Sequence, residues 1–227
     1  TRHLSSAASD VYKRQLEASS DILQKYTPKD ANKIDPVFMV GTNWLPYTAI
    51  VNVFIVNKNQ LNSSEYPRTW PDLGRSNLKG RISSARADKS GSSYMQLATV
   101  LTIYGDKGWD VYKPILQNFV LSGSSSAVPR FVNDGEAAVG VTLEDNAYKY
   151  VQGGGPVEIV YPEDGTVAAP DGIALVKNGP NSQNGKIFID WALSKETQDF
   201  LVQEMGRRPI RTDVSASGDL PPLTSFK

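Results

Sequence analysis

The segment from Gly135 to Lys177 constrains the fold of this 227-residue chain more than any other part of it. It reads GEAAVGVTLEDNAYKYVQGGGPVEIVYPEDGTVAAPDGIALVK. Two apolar strand patterns, Ala137 to Thr142 and Val157 to Tyr161, flank a helical pattern, and acidic residues follow each strand closely. Because open α/β sheets bind ligands beyond the carboxyl ends of their strands, this order predicts a polar site at one sheet edge.

Strand and helix patterns alternate along the rest of the chain, which is typical of βαβ units and a largely parallel sheet. The apolar run AIVNVFIV, Ala49 to Val56, predicts a strand buried on both faces. Helical positions of Trp70, Trp109 and Trp191 predict that all three pack in the core. The other predicted elements are a strand at Arg81 to Ala85 and helices at Leu16 to Tyr26, Trp70 to Leu73, Ser92 to Tyr104, Lys107 to Asn118, Ser124 to Val132, Asn181 to Leu193 and Lys195 to Met205.

The composition excludes several kinds of chemistry. No cysteine occurs and the single histidine is His3, which excludes thiolate catalysis and cysteine or histidine metal sites. The 24 basic and 24 acidic residues balance, whereas nucleic-acid binding needs a clustered basic face. No apolar run reaches the roughly 18 residues of a membrane span, and no Gly-x-Ser-x-Gly nucleophile elbow is present. We therefore predict no catalytic residue, no cofactor and no nucleic-acid partner.

Two clusters of serine and glycine stand directly before predicted helices, at Asp88 to Ser93 and at Ser122 to Ser126. A helix N-terminus offers unpaired N–H groups and a positive dipole end, and both attract a phosphate, phosphonate or carboxylate. Ordinary helix capping by serine is the alternative for each cluster. The candidate anion-binding residues are Ser90, Ser92, Ser124, Ser125 and Ser126.

Acidic residues complete the predicted site. Asp145 and Glu163 are candidates to accept hydrogen bonds from hydroxyl or ammonium groups of a ligand. The alternative for Glu144 and Asp145 is the preference for acidic residues at a helix start. For Glu163 and Asp164 the alternative is turn formation, which we favour for Asp164.

These segments together resemble the bacterial solute-binding proteins that feed ABC importers, in the branch that handles ferric iron, aminoalkylphosphonates and sugar phosphates. The resemblance includes TWPDLGRSNLKGRISSARADKSGSSYMQL at 69–97 and FIDWALSKETQDFLVQEMGRRPIRTDV at 188–214, and it covers nearly all of the chain after Leu16. It implies the α/β, two-lobed fold of type II periplasmic binding proteins, with hinge crossings near Val51 to Asn57 and Val157 to Gly172. Closure of the hinge on a ligand in the interlobe cleft would signal to a permease.

The first fifteen residues, TRHLSSAASDVYKRQ, resemble a translated sequencing adapter. They hold three basic residues and one acidic residue. The rest of the chain therefore holds 21 basic and 23 acidic residues, a net charge near −2. If these residues are set aside, the resemblance to the solute-binding proteins implies that the first lobe is incomplete. The predicted divisions are a non-native arm at 1–15, a remnant of the first lobe at 16–50, the second lobe at 51–157, and a return to the first lobe with a C-terminal tail at 158–227.

The resemblance implies an extracytoplasmic solute-binding component of an ABC importer that binds a small organic anion bearing phosphate or phosphonate. It implies a monomer that works with ABC permease subunits, located in the periplasm or anchored to the cell surface as a lipoprotein. The alternatives are a ferric iron-binding importer component, a carboxylate-based enzyme and a ligand-sensing domain. Ferric members carry an adjacent tyrosine pair after the strand that matches Ala137 to Thr142. Because Tyr148 and Tyr150 are separated by Lys149, iron is disfavoured and no metal ligand is predicted.

Overall fold

The structure is a computed structural model that describes residues 21–39, 43–218 and 220–226. The adapter-like arm at 1–15 and the start of the predicted helix at Leu16 to Tyr26 lie outside these residues. The strands are β1 (Leu23–Gln24), β2 (Leu45–Asn57), β3 (Ile82–Ala85), β4 (Phe119–Ser122), β5 (Val139–Leu143), β6 (Val157–Val160), β7 (Ala168–Ile173) and β8 (Leu175–Val176). The α-helices are α1 (Gly91–Tyr104), α2 (Gly108–Asn118), α3 (Val128–Asn133), α4 (Glu144–Gln152), α5 (Ser182–Ala192) and α6 (Lys195–Met205).

The chain divides into two compact units. Unit 1 holds Val51–Ala168 together with 223–226, and unit 2 holds the described residues of 21–50 and 169–222. The chain therefore passes between the units after residues 50, 168 and 222. The divisions predicted from the sequence fall after residues 50 and 157, with the C-terminal tail in the first lobe.

Unit 1 is built on a mixed sheet in the order β4-β3-β5-β2-β6. Strand β3 pairs in parallel with β4 and β5, whereas β2 is antiparallel to both β5 and β6. The prediction of a largely parallel sheet is therefore wrong for β2. This strand confirms the predicted strand at Ala49 to Val56, but it enters the sheet from the opposite direction.

Alternate side chains of β2 enter two different apolar clusters, as strand geometry requires. Phe54 and Val56 join a cluster on the side of α1 and α2, with Ile115 among its members. Val53 and Ile55 join a cluster that includes side chains of α3 and α4. The continuous apolar run is explained because helices cover both faces of this strand.

Local sequence signals set the helix ends well. The Ser90 hydroxyl accepts a hydrogen bond from the Ser93 N–H and begins α1, and Ser194 caps α6 in the same way. A 3-10 turn at Gly105–Lys107 separates α1 from α2. The predicted separation of the helices on either side of Gly105 and of Ser194 is thus confirmed.

Unit 2 contains the two-stranded β1–β8 sheet with α5 and α6. The buried Gln198 side chain connects α6 to two other segments of the unit. Its Nε2 donates to the Tyr47 carbonyl at 2.9 Å, and its Oε1 accepts from the Ile210 N–H at 3.2 Å. The Arg211 side chain is also buried and pairs with Asp30 at 2.7 Å and Asp213 at 2.8 Å. The contacts of Gln198 with Tyr47 and of Arg211 with Asp30 join segments that are far apart in the chain.

Several predicted elements are corrected. Within the described residues, the predicted helix at Leu16 to Tyr26 gives a turn followed by β1, because Leu23–Gln24 pair with β8. The helix predicted at Ser124 to Val132 is a 3-10 turn at Ser125–Ala127 that leads into α3. Trp70 is buried as predicted, whereas the side chains of Trp109 and Trp191 are exposed.

Candidate functional site

The carboxyl ends of β3, β4, β5 and β6 lie at the same edge of the unit 1 sheet. Strands β3, β4 and β5 are mutually parallel, and β6 shares their direction because both β5 and β6 are antiparallel to β2. All the predicted site residues lie in the loops or helix starts that follow these strands. The topology therefore brings them to one edge, where α/β sheets place their ligands.

The loop after β3 carries Ser90 and Ser92 to the start of α1. The Ser90 hydroxyl accepts from the Ser93 N–H at 3.3 Å, so its capping role is confirmed. Ser92 lies half-buried in the first turn of the helix. Earlier in the loop, Arg86 holds Asp88 through two hydrogen bonds at 2.9 and 2.7 Å, and this bonding lowers the pKa of the Asp88 carboxyl. The loop thus offers helix-terminal N–H groups and hydroxyl groups.

The loop after β4 is organised by its own serines. The Ser122 hydroxyl donates to the Ser124 carbonyl at 2.9 Å, and the hydroxyls of Ser124 and Ser126 lie 2.8 Å apart. Ser124 and Ser126 are exposed, and Ser125 is half-buried at the start of the 3-10 turn. The loop therefore presents several hydroxyl groups close together at the sheet edge.

Strand β5 ends in two buried acidic residues that begin α4. Glu144 and Asp145 are 2% and 4% exposed and occupy the first turn of the helix, where the macrodipole favours negative charge. Tyr161 directly follows β6, and its hydroxyl donates to Glu144 Oε1 at 2.6 Å. This tyrosine is not among the predicted site residues, although its place between a strand and the Pro162-Glu163 turn is a signal that could have identified it.

The turn after β6 separates the roles of its two acidic residues. Glu163 is exposed, and its side chain lies 3.7 Å from the Arg68 guanidinium, a surface pair of small energetic weight. Asp164 accepts from the Trp70 N–H at 2.9 Å and from the Tyr104 hydroxyl. Burial and this bond to Asp164 raise the pKa of Tyr104. Asp164 is therefore structural, as the sequence analysis favours.

Asn52 is a further polar residue at this edge that sequence reasoning missed. Its side chain is fully buried and its Nδ2 lies 3.4 Å from the Thr99 hydroxyl. Its carbonyl accepts from the Thr166 hydroxyl at 2.6 Å, and it pairs with Leu143 in the β2–β5 ladder. Among the described residues, none donates to its Oδ1. The signal was a single asparagine inside an otherwise apolar strand, because buried polar groups call for a specific reason.

The segment next to the Glu163 turn gives a pH-dependent prediction. Burial alone would raise the pKa of Asp72, but hydrogen bonds from the Arg68 and Thr69 N–H groups outweigh it, so the pKa is lowered. Asp72 therefore contributes stability above the ordinary aspartate pKa of about 4, and this stability is lost as the pH falls through the folded-state pKa. We expect D72N to lower the free energy of unfolding by about 1 kcal/mol near neutral pH, and by much less in strong acid. Urea denaturation of both proteins at two pH values tests this, and an equal loss at both would contradict it.

A metal ion needs several donor side chains close together. Among residues 21–39, 43–218 and 220–226, histidine, cysteine, aspartate and glutamate form no group of three or more that could hold a metal ion. Tyr148 is buried and Tyr150 is half-buried on α4.

Of the helices that the structure describes, none combines the length and apolar character needed to cross a membrane.

Comparison with known sequences gives a consistent set of relatives. Residues 9–227 match the family described as bacterial extracellular solute-binding protein. An uncharacterised protein of Haemophilus influenzae is 33% identical over 159 residues, which is 69% of this chain and 46% of that protein. A putative 2-aminoethylphosphonate-binding periplasmic protein of Salmonella typhi is 27% identical over 73% of this chain and 51% of its own length. The Fe(3+)-binding periplasmic protein of Serratia marcescens is 24% identical over 80% of this chain and 56% of its own length. The chain thus spans about half the length of the curated relatives it matches.

Solved structures show the same fold. The periplasmic binding protein AfuA from Actinobacillus pleuropneumoniae, with fructose 6-phosphate bound, superposes with a TM-score of 0.85 at 28% identity. The superposition covers 95% of this chain and 72% of AfuA. Iron-bound HitA from Pseudomonas aeruginosa gives a TM-score of 0.81 at 20% identity, over 95% of this chain and 72% of HitA, a likeness of fold alone. The mixed α/β fold described above is therefore that of the periplasmic binding proteins.

Proposed function

Because this chain belongs to the bacterial extracellular solute-binding proteins, we propose that it is the ligand-binding component of an ABC importer. One observation supports the proposal most strongly. The carboxyl ends of four strands of unit 1 share one edge, and every candidate ligand residue follows one of them. The edge combines helix-terminal N–H groups and serine hydroxyls with buried and exposed carboxylates. Such a set suits a small molecule that is anionic at one end and carries hydroxyl or amino groups at the other.

The proposed ligand is a small organic phosphate or phosphonate. Backbone N–H groups and hydroxyls of Ser124, Ser125 and Ser126 bind its anionic group, with Ser90 and Ser92 at the start of α1 as further donors. Asp145 and Glu163 accept hydrogen bonds from its hydroxyl or amino groups. The 2-aminoethylphosphonate-binding name of the Salmonella relative and the fructose 6-phosphate bound to AfuA support this class of ligand.

Ferric iron is the second candidate, because the Serratia relative is named as an Fe(3+)-binding protein. The donor set of unit 1 favours the organic anion. Glu144 accepts a hydrogen bond from Tyr161, and Tyr148 and Tyr150 do not form an adjacent pair on α4. In the described residues, histidine, aspartate and glutamate side chains form no group of three or more that could hold the ferric ion.

The remaining proposals concern the whole protein. We place it outside the cytoplasm, in the periplasm or as a lipid-anchored protein, and give it ABC permease subunits as partners. It works as a monomer and binds its ligand without chemical change. The names of the Salmonella and Serratia relatives, both periplasmic, support this location.

Unit 2 is proposed to be part of a larger first lobe. Helix α5 buries Ile189 and Ala192, yet Ile187, Phe188 and Trp191 on its other side are more than half exposed. Large apolar side chains exposed together on one helix are typical of a surface that another part of the protein covers. The relatives named above, which are about twice as long as the matched part of this chain, support this proposal.

Isothermal titration calorimetry tests the proposed ligand class. The probes are fructose 6-phosphate, 2-aminoethylphosphonate, fructose with inorganic phosphate, and ferric citrate. We expect an organic phosphate or phosphonate to bind at least about 100-fold more tightly than fructose, a difference of about 2.7 kcal/mol. Binding of ferric citrate alone would favour the second candidate, and heat from none of the probes would contradict the proposal.

A further inference from the structure

The C-terminal residues return to unit 1 after the chain has completed unit 2. Residues 223–226, here called the C-terminal strap, begin with a 3-10 turn at Leu223–Ser225 and belong to unit 1. Leu223 and Phe226 pack against the apolar cluster that contains Val53, Ile55 and Ala147. The strap is therefore packed on the same face of the sheet as α4.

An aromatic pair connects the strap to the segment after β6. The Phe226 ring stacks on the Tyr161 ring, with centroids 5.0 Å apart and planes inclined by 18°. Stacked aromatic rings at this separation attract each other, and this attraction adds to the stabilisation that comes from burying their apolar surface. The stack therefore restricts the plane of the Tyr161 ring, and with it the position of its hydroxyl.

A short hydrogen bond then connects Tyr161 to the start of α4. The Tyr161 hydroxyl donates to Glu144 Oε1 at 2.6 Å, a length typical of a strong bond to a charged carboxylate. Glu144 is the first residue of α4 and Asp145 is the second. Both side chains are buried, so the turn that carries them has little freedom to move independently of this bond.

We infer that the C-terminal strap positions the acidic turn of the ligand site, with Phe226 and Tyr161 as positioning residues for Glu144 and Asp145. The inference rests on the proposed function for its effect on binding, but not for its effect on α4. The strap follows unit 2 in the sequence, so by this inference ligand affinity in unit 1 depends on residues that come after unit 2.

The test compares F226A, Y161F, F226W and the double variant F226A/Y161F in the 227-residue chain. Hydrogen exchange is measured at the amides of residues 148–150, which in an α-helix bond to the carbonyl oxygens of 144–146. We expect F226A and Y161F each to speed this exchange about 2- to 10-fold. The double variant should exchange little faster than either single variant, and F226W should exchange at the rate of the unaltered chain. Calorimetry with fructose 6-phosphate is expected to show a parallel loss of affinity of about 5-fold.

W109A is the matched control, because Trp109 forms an edge-to-face pair with Tyr112 in the same unit, on α2. It should leave exchange at 148–150 unchanged. Equal exchange in all variants, or the same change in W109A, would overturn the inference. If the unaltered chain binds none of the probes, the proposed function fails, yet exchange at α4 still decides whether the strap holds the acidic turn.

Discussion

Replacing Ser125 with glutamate is expected to abolish binding of a phosphorylated ligand while the unfolding transition stays nearly unchanged. Ser125 stands between Ser124 and Ser126 at the start of the 3-10 turn after β4. A carboxylate there would face the anionic group of the ligand at close range. At about 4 Å and an effective dielectric constant near 20, two like charges repel by about 4 kcal/mol. The expected loss of affinity is therefore more than about 100-fold.

S63E is the matched control for this substitution. Ser63 also begins a 3-10 turn in unit 1, Ser63–Glu65, but it follows the Asn57 end of β2, which lies at the opposite edge of the sheet. Calorimetric affinities of the two variants for fructose 6-phosphate give the comparison. Similar affinities for S125E and the unaltered chain would remove the serine loop from the site. An equal loss in S63E would point to a general effect of added charge.

Replacing Trp70 with alanine is expected to lower the free energy of unfolding of unit 1 by about 3–5 kcal/mol. The Trp70 side chain is 1% exposed and meets the Phe54 ring edge to face, with centroids 5.1 Å apart. Its Nε1 donates to the Gly165 carbonyl at 2.9 Å, so the substitution also removes a buried hydrogen bond. The lost indole would leave a cavity beside β2 and release the turn that carries Glu163.

Urea denaturation measures this loss, and W109A again provides the comparison, because its indole is mostly exposed. We expect W109A to cost about 1 kcal/mol or less. A cost for W70A as small as that of W109A would show that the cluster around Phe54 does not depend on the indole. A reduced affinity of W70A for fructose 6-phosphate would accompany the loosening of the Glu163 turn.

The parts of the fold that were predicted correctly depend on local signals. The apolar run of β2 and the serines that cap α1 and α6 each act within a few residues. The parts that were missed depend on distant partners. Leu23–Gln24 form a strand because they pair with β8, some 150 residues later in the chain. The short strand β4 was also missed; it lies at the edge of the sheet, where the side chains of Val120 and Leu121 are exposed.

The same distinction holds for the candidate site. The acidic pair and the serine loops were identified because their residue types and their places after strands are local features. The contact of Tyr161 with Glu144 spans 17 residues, and the stacking of Phe226 on Tyr161 spans 65 residues, so neither can be read from spacing. The exposure of Trp109 likewise depends on which face of α2 meets the sheet, and its helical pattern alone did not settle this.

The central claim is that a small organic phosphate or phosphonate binds at the carboxyl edge of the unit 1 sheet. The most direct measurement follows backbone amide NMR signals of the 227-residue chain during a titration with fructose 6-phosphate, and separately with 2-aminoethylphosphonate. We predict that saturable shifts concentrate in 86–93, 122–127, 144–146 and 161–165, and that fructose alone produces none. Saturable shifts confined to other parts of the chain, or no shifts with either phosphorus compound, would contradict the claim.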